Sequence, residues 1–436
     1  MKAYAGKVLI IVQNLPVPFD RRVWLESKTL QKHGYKVSVI CPKSAEFNSS
    51  YERLEGISIY RYALPLNADG LLGYIFEFIY AWLATALLSI KVHFKEGFNV
   101  IHACNPPDTY FLLAFIYKLF GKKFIFDHHD LSPEMYLAKF QNPSRILYRL
   151  LLILEKLTMR TADVVITTNQ SYKKYAVKRG RKKERDVHVV RTGPDLSRLK
   201  VVKPQPALKH NKKYLICYLG EMCPQDGVDY LLKAADILIN RLERKDVSFT
   251  LIGGGPAVPQ LIKMSKALDL QDHVRFTGRI PDDELNLYLS TADVCVDPDP
   301  LTLWSNHSTM NKVMEYMVFS KPIVAFDLME TRKTCCKAAF YAKPNDVVEF
   351  AHYLYLLLDY PELRRQMGAS GQRRVFSFLA WRHSTQHLLS AYKQIFNQSH
   401  KRKIERPNGS VNAKIILTAK KSQQLESVTP LDIVHN

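Results

Sequence analysis

With 436 residues, 47% of them hydrophobic, the chain is long enough to form two domains with ample cores. Its seven cysteines are odd in number and show no CxxC spacing, which excludes a disulfide framework and favours a reducing cytoplasm. The formal net charge of +21 predicts a negatively charged partner, and the sequence has none of the finger, RNP or basic-helix signatures that would make this partner a nucleic acid.

Residues 1–200 alternate strand and helix patterns, which is typical of a doubly wound α/β domain. The sequence predicts a buried strand at 8–12, a helix at 21–33 and a second strand at 37–41. The loop between the first strand and the first helix lacks the Gly-x-Gly-x-x-Gly fingerprint. This half of the chain is therefore a poor candidate for a dinucleotide site.

The most apolar stretch, at residues 71–92, is long enough to span a membrane once. However, Glu77 lies within it, and the fold needs a crossover helix between the strands predicted at 57–60 and 100–104. We therefore predict a helix that packs on the domain and lies partly in a membrane interface, with a true span as the alternative. Residues 145–160 form a similar apolar helix with basic ends. Together with the positive charge, they predict a peripheral protein on the anionic inner face of the plasma membrane.

Two polar loops, at residues 102–108 and 127–134, follow strands of this domain, where open α/β sheets place their ligands. The second loop contains the neighbouring histidines His128 and His129. A histidine pair in such a loop is about as often a metal ligand or a structural residue as a catalytic group. No third ligand stands at metal spacing, so the sequence predicts no metal site and leaves the role of the pair open.

The second half repeats the alternation of strands and helices after a segment rich in prolines and charges. Its strand at 249–252 leads into a Gly-Gly-Gly-Pro turn, where the backbone at Gly254 can approach a ligand closely, although many such turns are only structural. In chain order, the predicted segments are a first domain at 1–200, a linker at 201–213, a second domain at 214–370, a terminal helix at 371–397 and a polar, basic tail at 398–436, which we expect to be partly disordered.

The segment HSTMNKVMEYMVFSKPIVAFD, residues 307–327, is the most informative part of the chain. Ser308 and Thr309 are good N-cap residues for the helix predicted at 310–318, and a helix N-terminus with free amides and hydroxyls suits a phosphate. Glu315 lies about 10 Å further along the helix axis, where its carboxylate can accept hydrogen bonds from a ribose diol. The arrangement fits a nucleoside diphosphate, although a single polar stripe on a helix is more often just a solvated face.

Residues 297–327, DPDPLTLWSNHSTMNKVMEYMVFSKPIVAFD, closely resemble the donor-binding segment of the retaining, family-four type of GT-B glycosyltransferases. The match extends in register from Val8 to about Tyr392. The resemblance implies an α/β fold of two Rossmann-like, doubly wound domains that face each other across a cleft, with the terminal helix crossing back to the first domain. It also implies that Glu315 binds the ribose of a nucleotide-sugar donor and that transfer needs no metal or other cofactor.

The resemblance assigns further site residues. In the family, a His-Asp pair places its histidine beside the donor sugar and the acceptor, and this pair corresponds to His129 and Asp130, with His128 as the nearer misassignment. The strand at 274–279, which ends in Arg279, resembles the family's strand beside the nucleotide base. The first loop and the first helix face the acceptor in the family, although a solvated basic helix start explains the two arginines there equally well. The acceptor-side candidates are Asn14, Arg21 and Arg22.

The chain departs from the family in three places. His307 stands where many members have a glutamate, eight positions before Glu315, and Ser320 stands where the family usually has glycine. The loop GEMCPQDG, at 220–227, has no cation where many members have an arginine and a lysine that contact the diphosphate. Because helical side chains lean toward the N-terminus, we expect Lys312 to reach back to the phosphate site instead. The predicted donor-binding residues are Gly254, Arg279, His307, Ser308, Thr309, Lys312 and Glu315.

These features predict a retaining, metal-independent glycosyltransferase whose acceptor, by resemblance to bacterial polysaccharide enzymes, is a lipid-linked saccharide. The three departures keep two alternatives open. One is a non-catalytic partner protein that keeps the fold without the chemistry, and the other is a sugar-nucleotide epimerase or hydrolase of the same architecture.

Overall fold

The computed structural model describes residues 5–64 and 70–404, and two parallel β-sheets with helices on their faces account for most of them. The chain up to Ala391 forms one compact unit, which contains both sheets. The residues from Tyr392 onward form a second unit, of which the last turns of a helix, up to residue 404, are described. Most of the predicted tail at 398–436 therefore lies outside the described residues.

The first sheet has eight strands in the order β3-β4-β2-β1-β5-β6-β7-β8, and all neighbours are parallel except β3 and β4. Its central strands are runs of valine, isoleucine and phenylalanine that are buried on both faces, as parallel strands between two helical layers must be. The strands are β1 (Gly6–Ile11), β2 (Tyr35–Pro42), β3 (Tyr51–Leu54), β4 (Ile57–Tyr62), β5 (Val100–Cys104), β6 (Lys123–His128), β7 (Val164–Thr167) and β8 (Val187–Val189).

Helices connect the parallel strands of the first sheet, which confirms the predicted α/β alternation. Among the described residues, none of the helices combines the length and the hydropathy needed to cross a membrane. The helices are α1 (Arg21–Lys32), α2 (Gly70–Lys95), α3 (Phe111–Leu119), α4 (Ser132–Lys139), α5 (Arg145–Thr161) and α6 (Gln170–Lys178).

The second sheet has six parallel strands in the order β11-β10-β9-β12-β13-β14. Its order reverses between β9 and β12, and such a switch point opens a crevice at the carboxyl ends of the strands. The strands are β9 (Tyr214–Leu219), β10 (Val247–Ile252), β11 (Val274–Gly278), β12 (Val294–Asp297), β13 (Ile323–Phe326) and β14 (Ala339–Ala342).

The helices of the second sheet complete the fold. They are α7 (Val228–Asp236), α8 (Val258–Ala267), α9 (Asp282–Thr291), α10 (Asn311–Val318), α11 (Met329–Cys335), α12 (Val347–Asp359), α13 (Pro361–Arg374) and α14 (Trp381–Ile404). The two sheets thus confirm the predicted pair of Rossmann-like domains.

The single helix predicted at 371–397 is wrong, because the chain breaks at Ala380, whose backbone is extended at φ −60° and ψ 151°. Contacts between Trp381 and the first half of the chain stabilise this break. The backbone N–H of Trp381 donates to the carbonyl of Pro194 at 3.2 Å, and its indole N–H donates to the hydroxyl of Thr29 at 2.9 Å. Neither proline nor glycine marks this position in the sequence, so local signals did not predict it.

Candidate active site

A cavity of about 580 Å³ lies between the carboxyl ends of the two sheets. Among the described residues, its lining includes every predicted site residue except His307. The predicted residues that line it are Asn14, Arg21, Arg22, His129, Asp130, Gly254, Arg279, Ser308, Thr309, Lys312 and Glu315. Residues that lie far apart in the chain therefore meet at one place, although several make contacts that the sequence did not predict.

The structure turns His129, and not His128, to the cavity. Side chains alternate along β6 and the residue that follows it, so Asp127 and His129 lie on one side and His128 on the other. His128 is fully buried, with its Nε2 atom 3.3 Å from the carboxylate of Glu155. Because of this alternation, His129 reaches the cavity and His128 does not, a distinction that the sequence alone left open.

The ring of His129 is held by Asp127, whose Oδ2 atom lies 2.6 Å from His129 Nε2. Burial opposes ionisation of Asp127, but the positive charge of Arg22 keeps its pKa well below the usual range. Arg22 Nε also donates to His129 Nε2 at 2.9 Å, so Asp127 and Arg22 both engage this nitrogen. The nitrogen left to meet a ligand is Nδ1.

The loop around His129 is fixed by Asn105, which follows β5. The side-chain oxygen of Asn105 accepts from the backbone N–H groups of His129 at 2.6 Å and Asp130 at 3.2 Å, and its amide nitrogen donates to the carbonyl of Asp130 at 2.7 Å. Burial raises the pKa of Asp130. The first polar loop therefore fixes the second one, which contributes His129 and Asp130 to the lining of the cavity.

Arg22 has a different role from the predicted acceptor-side one. Its side chain is 6% exposed, and Nε and Nη2 donate to the carboxylate of Asp127 at 3.0 and 2.8 Å. Nη1 donates to the carbonyl of Val190 and the hydroxyl of Thr192, both at 2.8 Å. Burial by itself would lower the pKa of Arg22, but Asp127 and Glu26 raise it. With all three nitrogens engaged, Arg22 positions Asp127 and has no donor left for an acceptor.

His102, Cys104 and Asp127 bring three possible metal-ligand atoms within 4.8 Å of one another, all of them buried. The sequence missed this group because its members lie on two neighbouring strands, β5 and β6. A metal ion there would lie next to the guanidinium of Arg22, which already neutralises Asp127. We therefore interpret the group as the buried support of His129.

The contact between Lys312 and a phosphate stays a prediction, and in the structure its ammonium group pairs with two aspartates. Its Nζ atom lies 2.6 Å from Asp299 Oδ2 and 3.2 Å from Asp297 Oδ1, and 4.9 Å above the ring of Tyr218. Burial would lower the pKa of Lys312, but Asp299 and its neighbours raise it well above the usual value. The lysine thus stays charged and forms ion pairs with the two aspartates at the end of β12.

Ser308 and Thr309 are also engaged and do not cap a helix. Helix α10 begins at Asn311, and no side chain caps it. Ser308 Oγ donates to the carbonyl of Trp304 at 2.8 Å and lies 2.7 Å from the hydroxyl of Tyr172. Thr309 Oγ1 accepts from the side-chain amide of Asn169 at 3.1 Å. The partners Asn169 and Tyr172 come from the first half of the chain, so the predicted phosphate-binding hydroxyls join the two halves instead.

His307 lies beside this junction and outside the cavity lining. Its Nδ1 atom is 2.8 Å from the carbonyl oxygen of Leu303, and its ring packs edge-on against Tyr175 at 5.3 Å. His307, which stands where many family members have a glutamate, therefore contacts other residues of the protein outside the cavity lining.

Glu315, the predicted ribose ligand, has a side chain that is 10% exposed and is paired with two arginines. Arg21 Nη1 lies 3.0 Å and Arg198 Nη2 2.5 Å from its Oε1 atom. Both arginines also contact Asp282, at 3.6 and 2.6 Å. Arg198 was missed by the sequence analysis, since nothing in its neighbourhood resembles a motif.

Gly254 and Arg279 line the part of the cavity nearest β10 and β11. A side chain added at Gly254 would meet no atom within 4 Å, so this backbone is open toward the cavity. The guanidinium of Arg279 lies 3.3 Å from Glu221 and 4.9 Å from the ring centre of Phe19. Both residues therefore line the cavity, and their contact with a donor stays a prediction.

Comparisons with known proteins agree with this architecture. Residues 20–198 match the model of glycosyltransferase family 4, and residues 202–374 match that of glycosyl transferases group 1. An alpha-D-kanosaminyltransferase of Streptomyces kanamyceticus is 30% identical over 157 residues, which are 35% of this chain and 39% of that protein. The chain thus aligns with less than half of the length of this curated relative.

Two solved structures show the fold. Sucrose-phosphate synthase from Thermosynechococcus elongatus superposes with a TM-score of 0.70 at 20% identity, covering 90% of this chain and all of that one. HepE from Anabaena, solved in complex with UDP-glucose, gives a TM-score of 0.66 at 15% identity, covering 89% of this chain and all of that one.

Proposed function

Because the chain belongs to the family-four glycosyltransferases of GT-B type, we propose that it moves a sugar from a nucleotide-sugar donor to a saccharide acceptor, with retention of configuration. The observation that carries the proposal is a single cavity that is lined both by Glu315, on α10, and by His129, which directly follows β6. Glu315 binds the ribose diol, and His129 presents Nδ1 to the sugar or the acceptor. The complex of HepE with UDP-glucose supports a sugar nucleotide as the donor.

In this proposal the leaving diphosphate is stabilised by charge, since the transition state develops negative charge on it. Two residues of the chain itself position His129. Asp127, held by Arg22, fixes the ring of His129. No metal ion is required, and support for this comes from Arg22, which already neutralises the one buried group of possible metal ligands among the described residues.

We expect Glu315→Gln to weaken the binding of a nucleoside diphosphate by about 1.5–3 kcal/mol, because it removes a charged hydrogen-bond acceptor. A thermal-shift screen first identifies the nucleotide, since a ligand that binds the folded state raises the melting temperature. Isothermal titration calorimetry then measures its affinity for the wild type and the variant. Glu284→Gln is the matched control, because Glu284 is exposed on α9 and lies outside the cavity. An unchanged affinity in Glu315→Gln would refute the ribose assignment.

We further propose that the acceptor is lipid-linked and that the first domain docks on an anionic membrane. Helix α3 contacts both α2, through Tyr117 and Ser89, and α5, so the three helices adjoin. All three, with Phe120 directly after α3, expose large apolar side chains, and those on the helices are Phe76, Phe78, Ile79, Tyr80, Leu83, Leu87, Ile90, Phe94, Leu112, Phe115, Ile116, Leu119, Ile146, Leu150, Ile153 and Leu157. Basic residues on or next to these helices are Lys91, Lys95, Lys118, Lys122, Arg145, Arg149, Lys156 and Arg160.

The protein is expected to sediment with vesicles that contain anionic lipid, and to be released largely by high salt, because each basic residue near the surface contributes about 1 kcal/mol of attraction. Leu87→Ser with Phe94→Ser should reduce this binding, since both side chains are at least 70% exposed on α2. The matched control replaces Ile262 and Phe378, exposed apolar residues of the second half, by serine. Retention that only detergent reverses would contradict peripheral docking.

A further inference from the structure

Four charged residues form a cluster at the meeting point of the two sheets. Arg21, at the start of α1, and Arg198 share the Oε1 atom of Glu315 and also contact Asp282. The side chains of Glu315 and Arg198 are only 10% and 15% exposed, whereas that of Arg21 is 52% exposed. The cluster is neutral as a whole, and Glu315 is its central member.

The cluster separates two cavities. On one side lies the candidate active site, and on the other lies a cavity of about 730 Å³ whose lining includes Trp24 and Phe47. Arg21 and Glu315 line both cavities. A ligand in either cavity that reaches the carboxylate of Glu315 therefore finds Arg21 paired with it.

A carboxylate that already accepts from two guanidinium groups competes poorly for additional donors. A ribose diol offers two hydroxyl donors to the same carboxylate, so it and the two arginines compete at the Oε1 atom, which both guanidinium groups contact. Lys312 is paired with Asp297 and Asp299, whereas Arg21 and Arg198 contact Glu315 itself, so their pairing changes when a ribose binds that carboxylate.

We propose that Arg21 and Arg198 are determinants of donor affinity that act as an internal competitor for Glu315. This inference rests on the proposed function, because it takes Glu315 as the ribose ligand. Donor binding breaks the Arg21–Glu315 pair and opens the partition between the two cavities. In the resting protein the two arginines thus occupy the carboxylate that the ribose diol needs, and the donor has to displace them.

The direction in which Arg21→Gln changes the affinity for a nucleoside diphosphate tests the proposal. If the arginines compete with the donor, Arg21→Gln binds a nucleoside diphosphate about fivefold or more tighter than the wild type, in calorimetry at fixed salt. If they bind the diphosphate directly, the same variant binds it more weakly, and the proposal is overturned. Arg198→Gln should change affinity in the same direction, and Arg21→Gln alone decides the question if the variant of the buried Arg198 does not fold.

Arg332→Gln is the matched control, because Arg332 is 53% exposed and makes one ion pair, with Asp327 at 2.6 Å, outside both cavities. Its affinity should equal that of the wild type. In the Glu315→Gln background, Arg21→Gln should no longer tighten binding, since the shared carboxylate is gone. A gain that persists there would also overturn the proposal.

The outcomes keep the two proposals apart. If the wild type binds the nucleotide and Glu315→Gln weakens it, while Arg21→Gln leaves it unchanged or weaker, the competitor role is overturned and the proposed function stands. If the wild type binds no nucleoside diphosphate or sugar nucleotide, both are overturned.

Discussion

Replacement of Arg22 by methionine is expected to lower the free energy of unfolding by about 3–5 kcal/mol, which is the cost of leaving a buried charge without its partner. Arg22 donates to both oxygens of Asp127, whose side chain is fully buried. Glu26, also fully buried, lies 3.2 Å from the same guanidinium. Burial, followed by the charge of Asp127, raises the pKa of Glu26 well above its usual value, so Asp127 is the carboxylate that depends most on Arg22.

The measurement is the shift of the urea unfolding midpoint at neutral pH. The neighbouring Arg21→Met is the matched control, because Arg21 is 52% exposed and its loss should change stability by about 1 kcal/mol or less. The double variant Arg22→Met with Asp127→Leu should cost less than the sum of the single changes, since no unpaired charge remains. Equal effects of Arg21→Met and Arg22→Met would show that the buried pair is not a structural support.

The fold followed from the sequence wherever periodicity decides structure. The runs of valine and isoleucine in β1 and the helix pattern of α1 predicted elements that the structure has within a few residues. The resemblance to the family also predicted two domains that face each other across a cleft, and Glu315 and His129, one from each half of the chain, line one cavity.

The missed features depend on contacts between distant parts of the chain. The lean of helical side chains predicted the direction of Lys312, but its partner Asp299 is set by the end of β12. Arg198 reaches Glu315 only because the two halves of the chain meet there. The break at Ala380 is similarly held by Trp381 contacts with the first half. Local patterns carry no information on such pairings.

Glu315 and His129 have different proposed roles within the cavity. Glu315 contacts the nucleotide in our proposal, so its substitution acts mainly on donor binding. His129, whose ring Asp127 orients, lines the same cavity from the first half of the chain. A residue that acts on charge developing in the transition state changes the rate far more than it changes ground-state affinity.

His129→Ala is therefore expected to raise the barrier to turnover by about 2–4 kcal/mol, while the affinity for nucleoside diphosphate changes little. Turnover is measured as release of nucleoside diphosphate from the sugar nucleotide, with and without lipid-linked acceptors, and affinity by calorimetry. His352→Ala is the matched control, because His352 is exposed on α12 and lies outside the cavity. If His129→Ala lowers stability as much as turnover, the histidine is structural. If the wild type binds the sugar nucleotide but neither transfers nor hydrolyses it, the chain is the non-catalytic partner that its departures from the family leave open.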